Sequence, residues 1–276
     1  MTNDEGEIGV DLLKRNLAPI LPETWKLIDA EAARVLRLLL AGRKVVDFRG
    51  PYGWTFAAVN TGRLDILPSG PDPEVHLGVR LVQPLVEVRI PIKLSIMDLD
   101  TVARGAENPD LGDVVRAAEK MARVEDDAIF NGLEQGGMKG ILTCTPHAPL
   151  PVGHVTALPN AIVTAKEVFR KAGVNGPYVL VLGTRLYDHL SAATEEGYPL
   201  IKRIEQRLVD KPIVRTDAIT GGALLSMRGR DYELTAGQDL SIGYAYHTKT
   251  EVELYITESF MFRVLEPTAA VRIVQA

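Results

Sequence analysis

The chain has 276 residues, 46% hydrophobic and 24% charged, enough to bury a sizeable core as one large folding unit or two modest ones. A net charge of -5 and a pI near 5.6 exclude a protein built to ride on nucleic-acid phosphates, which takes clustered lysine and arginine. The single cysteine, Cys144, excludes an intrachain disulfide framework and points to a reducing compartment, where it reads as an inert loop thiol.

The acidic start MTNDEGEIGV lacks the basic-then-apolar pattern of a secretory signal. The longest apolar runs, residues 36–41 and 178–183, are too short to cross a bilayer, so the expected location is the cytoplasm, off any membrane. Residues 10–17 (VDLLKRNL) set Leu13 and Leu17 at helical spacing and predict a short first helix. A second helix starts at Pro22, which a first helical turn tolerates, with Glu23 where the helix dipole favours an acid. Trp25, Ile28, Ala32, Val35 and Leu39 form its apolar stripe, and Gly42, Arg43 and Lys44 stop it.

Between Val45 and Val82 the pattern changes to short strand-like pieces broken by GPYG, NTG and PSGPDP. Residues 84–94 (PLVEVRIPIKL) then alternate, with Val86, Val88, Ile90, Ile92 and Leu94 on one face, the signature of a strand with one wet side. Residues 48–94 have too few apolar positions per strand for a core of their own and predict a two-stranded arm. So long an excursion from a compact domain is reasonable if it lies on a neighbour.

A long helix is expected over 110–135, with Val114, Ala118, Met121, Glu125 and Ile129 at helical spacing and Gly136-Gly137 ending it. Residues 141–155 read as loop. From Pro159 helices (160–171, 184–194, 200–208) alternate with strands (178–182, and around Ile213 and Leu224), the pattern of a small mixed domain. Strands over 231–235, 240–244 and 252–264 close the chain.

Tests for catalytic motifs come back empty. Gly136-Gly137-Met138-Lys139-Gly140 lacks the hydroxyl residue after the lysine that a phosphate-binding loop needs, and Ser241 lacks a flanking glycine on its N-terminal side. Asp188-His189 lies on a predicted helix with no partnered nucleophile nearby in sequence. His76, His147, His154, His189 and His247 are dispersed; His147 and His154 share a loop but read as solvated. Glu125-Asp126-Asp127 resembles a metal-binding run, yet a helix turns neighbouring side chains to different faces, so a solvated face is expected. No catalytic or metal-binding residues are assigned.

Seven blocks, LLKRNLAPI (12–20), WKLID (25–29), GRKVVDFRGPYGW (42–54), EDDAIFNG (125–132), GPYVLVL (176–182), EEGYPL (195–200) and GQDLSIGY (237–244), resemble in content and order the encapsulin shell proteins, also called the linocin family. The resemblance implies an α+β fold, that of tailed-phage major capsid proteins of the Hong Kong 97 type. Its parts would be N-terminal helices facing the lumen (1–47), an extended loop arm (48–94) and the spine helix of the peripheral domain (95–140). The axial domain (141–228) and the C-terminal strands completing the peripheral domain (229–276) would follow.

It also implies an icosahedral shell of many copies enclosing cargo enzymes through a short C-terminal peptide, ferritin-like proteins or dye-decolorising peroxidases being the family's usual guests. The docking role falls on Leu13, Leu17, Arg43, Asp47, Leu240, Ile242 and Tyr244, with a charge at Ile242 expected to empty the shell; otherwise Arg43 and Asp47 would cap the helix and pair with each other. The fivefold opening falls on Glu195, Glu196, Gly197 and Tyr198, where a ring of carboxylates would draw cations. The intersubunit arm starts at Gly50, Pro51, Tyr52 and Gly53, with Trp54 and Phe56 covered by an adjacent subunit.

Some members hold a flavin against a tryptophan where this chain has Met97, whose side chain offers no aromatic face to the flavin ring. No flavin or other cofactor is expected, and a flavin absorbance band in washed shells would overturn this. Shell size and the role of residues 1–9 stay open. A viral capsid protein of the same fold is the rival reading, with a protease or bacteriocin behind it.

Overall fold

A computed structural model describes residues 12–68, 74–195 and 197–275. In chain order helix α1 (Pro22–Leu39) is followed by strands β1 (Asp47–Arg49), β2 (Ala58–Ile66), β3 (Gly78–Pro84) and β4 (Val86–Ser95). Helices α2 (Ile96–Ala103) and α3 (Gly112–Phe130), two-residue strands β5 (Gly132–Leu133) and β6 (Met138–Lys139), and the single turn α4 (Ile141–Cys144) come next. Strand β7 (Leu150–Val152), helix α5 (Leu158–Lys171), strand β8 (Tyr178–Gly183) and helix α6 (Thr184–Ala192) lead to the small ladder of β9 (Thr194–Glu195) with β10 (Tyr198–Pro199), then to helix α7 (Leu200–Arg207). The remainder is strand: β11 (Val214–Thr216), β12 (Gly222–Ser226), β13 (Tyr232–Ala236), β14 (Ser241–His247), β15 (Glu251–Val264) and β16 (Ala270–Gln275).

Two compact units emerge. The first comprises the described part of Met1–Leu36, with Val88–Met121 and Leu240–Glu258. Its core takes Trp25, Ile28, Ala32 and Val35 from the α1 stripe, Val114, Ala118 and Met121 from α3, and Ile92 and Leu94 from the alternating strand β4. Strand β14 pairs antiparallel with the first half of β15, Ile242 opposite Ile256 and Tyr244 opposite Leu254, with an irregularity between Tyr244 and Tyr246.

The second unit comprises Arg37–Glu87, Ala122–Asp239 and Ser259–Ala276. It contains a five-stranded sheet in the order β11-β8-β12-β16-β7, parallel at β8–β11 and β16–β7 and antiparallel between. Val179 to Leu182 of β8 are all buried, the unbroken apolar run of a strand covered on both faces. The far end of β15 pairs antiparallel with β13, and β1 lies parallel to β13. Among the described residues, strands β2 and β3 pair only with each other. No helix among the described residues is long and apolar enough to cross a membrane.

Three expectations need correction. The helix predicted over 10–17 begins outside the described residues, and its described part holds a single 3₁₀ turn, Arg15–Leu17; Lys14 before it has φ 52°, which breaks helical continuity. Helix α3 stops at Phe130 rather than 135, because Gly132 (φ +95°) turns the chain back into the β5–β6 pair. A Cβ at Gly140 would lie 2.4 Å from the backbone of Asn131 and Gly132, so only glycine allows that return. Residues 141–155, read as loop, carry α4 and the edge strand β7.

Candidate functional site

Within the second unit the arm starts at Gly50-Pro51-Tyr52-Gly53. Tyr52 N donates to Ala236 O at 3.1 Å and Gly53 N to Gly237 O at 2.8 Å, so the turn is pinned to the end of β13. Gly50 has φ +109°, and a Cβ there would meet Ala236 O at 2.4 Å; no other residue fits. The rings of Tyr52 and Phe56 sit 4.8 Å apart, Tyr52 exposed, Trp54 and Phe56 half-buried. Beyond them the β2–β3 ribbon presents Leu64, Ile66, Leu77, Val79, Leu81 and Val82 to solvent. A ribbon of this kind is marginal alone in water, so its apolar side chains call for a partner surface.

Behind the arm lies a charged junction that the sequence reading missed. Glu125 and Asp126, expected on a solvated face, are both buried. The Arg43 guanidinium grips Glu125, which is 0% exposed, with Nη2 at 2.7 Å and Nε at 2.9 and 3.0 Å, and reaches Asp239 Oδ1 at 2.9 Å. Its Cζ lies over the Phe48 ring, 4.8 Å from the centroid. Asp126 accepts from Ala41 N (3.1 Å), Gly42 N (2.8 Å) and Thr216 Oγ1 (3.1 Å), so it caps the chain just after α1 and ties it to β11. Burial pushes its carboxyl up to about 6, although the backbone donors at Gly42 and Ala41 pull the other way. Asp47, the alternative partner for Arg43, instead accepts from Arg230 N at 2.6 Å.

In the first unit, the segment before α1 is tied to the β14–β15 pair. Tyr244 N donates to Leu13 O at 2.8 Å and the Tyr255 hydroxyl to Leu12 O at 3.1 Å. Arg15 forms a fork on Asp29 (2.7 and 3.2 Å) and lies 3.9 Å over the Trp25 ring. Leu17 stands 61% exposed, with Leu12 and Leu21 also exposed, while Leu13, Leu240 and Tyr244 are half-buried. Ile242 is 4% exposed and belongs to the core, so a charge there would disrupt the unit itself. Of the seven predicted docking residues, Leu13, Leu17, Leu240, Ile242 and Tyr244 share this unit, and Arg43 and Asp47 belong to the other.

The turn read as a pore rim is the β9–β10 ladder, with Gly197 (φ +82°) in its bend and Glu196 outside the described residues. Glu195 pairs with Arg203, and the Tyr198 hydroxyl donates to Gln206 Oε1 at 3.0 Å, so the charge of Glu195 is offset within the chain. Met97 on α2 is 72% exposed. Burial pushes the Cys144 thiol up, against the activation a nucleophile requires. Asp188 pairs with Arg215 at 3.3 Å rather than with a histidine, and no group of three or more metal-binding side chains occurs among the described residues.

Comparison with known proteins bears on this arrangement. A family profile of the linocin type, described as "Encapsulating protein for peroxidase", matches residues 10–261. A type 1 encapsulin shell protein of Rhodospirillum rubrum is 41% identical over 266 residues, covering 94% of this chain and 95% of that one. Among solved structures, a virus-like particle from Pyrococcus furiosus superposes with a TM-score of 0.63 at 14% identity, over 90% of this chain and 98% of that one. The capsid of Myoviridae phage XM1 does so at 0.55 and 12%, over 86% and 92%. At these identities the two structures speak for the fold alone, which is that of the Hong Kong 97-type capsid proteins.

Proposed function

This chain belongs to the encapsulin shell-protein family, and on that premise we propose that its copies close into an icosahedral compartment by laying each β2–β3 ribbon on a neighbour. It is a structural shell protein, and the chemistry belongs to what it encloses. The observation that carries the assembly reading is the ribbon, which pairs with no other strand among the described residues and keeps apolar side chains on its surface. Closure would cover those side chains and remove the open strand edges that otherwise invite aggregation. Electron microscopy of the size-excluded recombinant protein tests this: closed uniform particles are expected, and a stable monomer would overturn it.

The interior would receive an enzyme through an extended C-terminal peptide carrying leucine or isoleucine. Exposed Leu17 together with half-buried Leu13, Leu240 and Tyr244 supports the β14 side of the first unit as the docking surface. The family description supports a peroxidase as guest, with ferritin-like proteins as the alternative. A cytoplasmic site for the assembled compartment fits this reading. Because Leu17 is largely exposed, Leu17→Asp leaves the fold intact; shells of this variant purified from the native host are expected to close normally yet carry at least tenfold less enzyme. Undiminished loading would sink the docking assignment.

The rim turn would admit small ions, with the selectivity softened at Glu195 by its Arg203 partner. Met97 in place of an aromatic platform supports a shell without bound flavin.

A further inference from the structure

A cavity of about 640 Å³ opens in the second unit, away from the junction and the arm. One wall is Val152 at the end of edge strand β7 with Gly153, His154 and Val155 that follow it. The other is a single face of α6, where helical spacing aligns Arg185, His189 and Ala192, and Gln275 at the end of β16 closes one side. The size is that of a pocket for a small metabolite.

The lining has a definite chemistry. Arg185 and His189 make no ion pair among the described residues, and His154 uses only Nδ1, 2.9 Å from Thr156 Oγ1. None of the described lining residues is acidic, in a chain whose net charge is -5. A guanidinium offers a planar fork of donors matched to oxyanions, and imidazole and amide groups beside it add further hydrogen bonds. Val152, Val155 and Leu186 supply an apolar wall that a bare inorganic ion would leave unused.

We propose that this cavity binds a small organic phosphate, its phosphoryl oxygens held by Arg185 with His189 and His154 and its apolar body against Val155 and Leu186. The cavity also touches Ala192 and Ala193, the residues that lead into the β9–β10 turn, so an occupant would rest directly against the base of that turn. The inference concerns this unit alone and stands apart from cargo docking.

Equilibrium dialysis of phenyl phosphate against purified shells tests it. One saturable site per subunit is expected, with Arg185→Gln weakening it at least tenfold and Arg207→Gln, an exposed arginine on α7 outside the cavity, leaving it unchanged. A second variant guards against misfolding: a Cβ at Gly153 meets no atom within 4 Å, so Gly153→Phe is tolerated and should block the site. Inorganic phosphate should bind more weakly than phenyl phosphate. Absence of saturable binding to well-formed shells, equal loss in both arginine variants, or full binding in Gly153→Phe would overturn the proposal.

Discussion

The double variant Val79→Lys, Leu81→Glu is expected to yield a folded chain that never closes into particles. Leu77 just before β3 and Val79 and Leu81 on it alternate onto one face of the ribbon, and the Leu67 N–H bond to Leu77 O at 3.0 Å extends the ladder to Leu67. Val79 is 52% exposed, and its neighbours on that face are similarly open, so nothing in the chain's own core depends on them. The new charges suit the local register, because Val79 lies opposite Asp65 and Leu81 opposite Arg63, and each would gain an opposite-charge partner across the strands. Against a neighbouring subunit the balance reverses. Covering a valine or leucine contributes about 1.5–3 kcal/mol, whereas each buried charge costs several kcal/mol after relaxation. Repeated at every subunit contact, that difference abolishes closure. Gel filtration should show small species with unchanged far-ultraviolet circular dichroism, and full-sized particles would refute the arm assignment.

The second large effect falls on Asp126. Replacing it with alanine strands the buried N–H groups of Ala41 and Gly42 and the hydroxyl of Thr216, and should lower unfolding free energy by about 2–4 kcal/mol. Its pH signature separates this from a simple packing loss. The folded carboxyl, at about 6, lies above the ordinary value of 3.8. The folded state therefore holds the proton more tightly than the unfolded one. The stability contributed by this group is complete below the unfolded value and disappears as pH rises through about 6. Relative to Asp126→Asn, which does not titrate, the wild-type chain should gain about 1.4 kcal/mol between pH 7.5 and pH 5. Denaturant unfolding in the non-assembling double variant measures this free of shell dissociation. A difference that stays constant with pH would mean that Asp126 does not titrate in that range.

What the sequence reveals and what it hides divide along the reach of the interactions. The α1 stripe and the alternation of β4 are local patterns, and they predict the burial of Trp25, Ile28, Ile92 and Leu94. The family, and with it the capsid fold, is legible in seven ordered blocks. The carboxylates of Glu125 and Asp126 are not, because their partners Arg43, Ala41 and Gly42 lie more than 80 residues earlier and Thr216 lies 90 later. Helical periodicity turns adjacent acids to different faces, but these two find separate polar partners, one a guanidinium and the other backbone N–H groups. The hint was Arg43 itself, a positive charge directly after an amphipathic helix and half-buried in the fold. At residues 12–17 the error ran the other way. Spacing suggested a helix, yet a segment so short draws little stability from propensity and takes its shape from hydrogen bonds to Tyr244 and Tyr255.

The ribbon also sets the terms on which the protein can be produced. A newly finished subunit carries two strand edges and a band of leucine and valine side chains with nothing yet to cover them. On the proposed assembly, this surface stays open to any hydrophobic chain until another copy arrives. Yield is then expected to follow a race between encounter with a sister subunit and capture by something else. Fast synthesis at high local concentration favours the shell, and a slow trickle of subunits leaves them to chaperones and proteases.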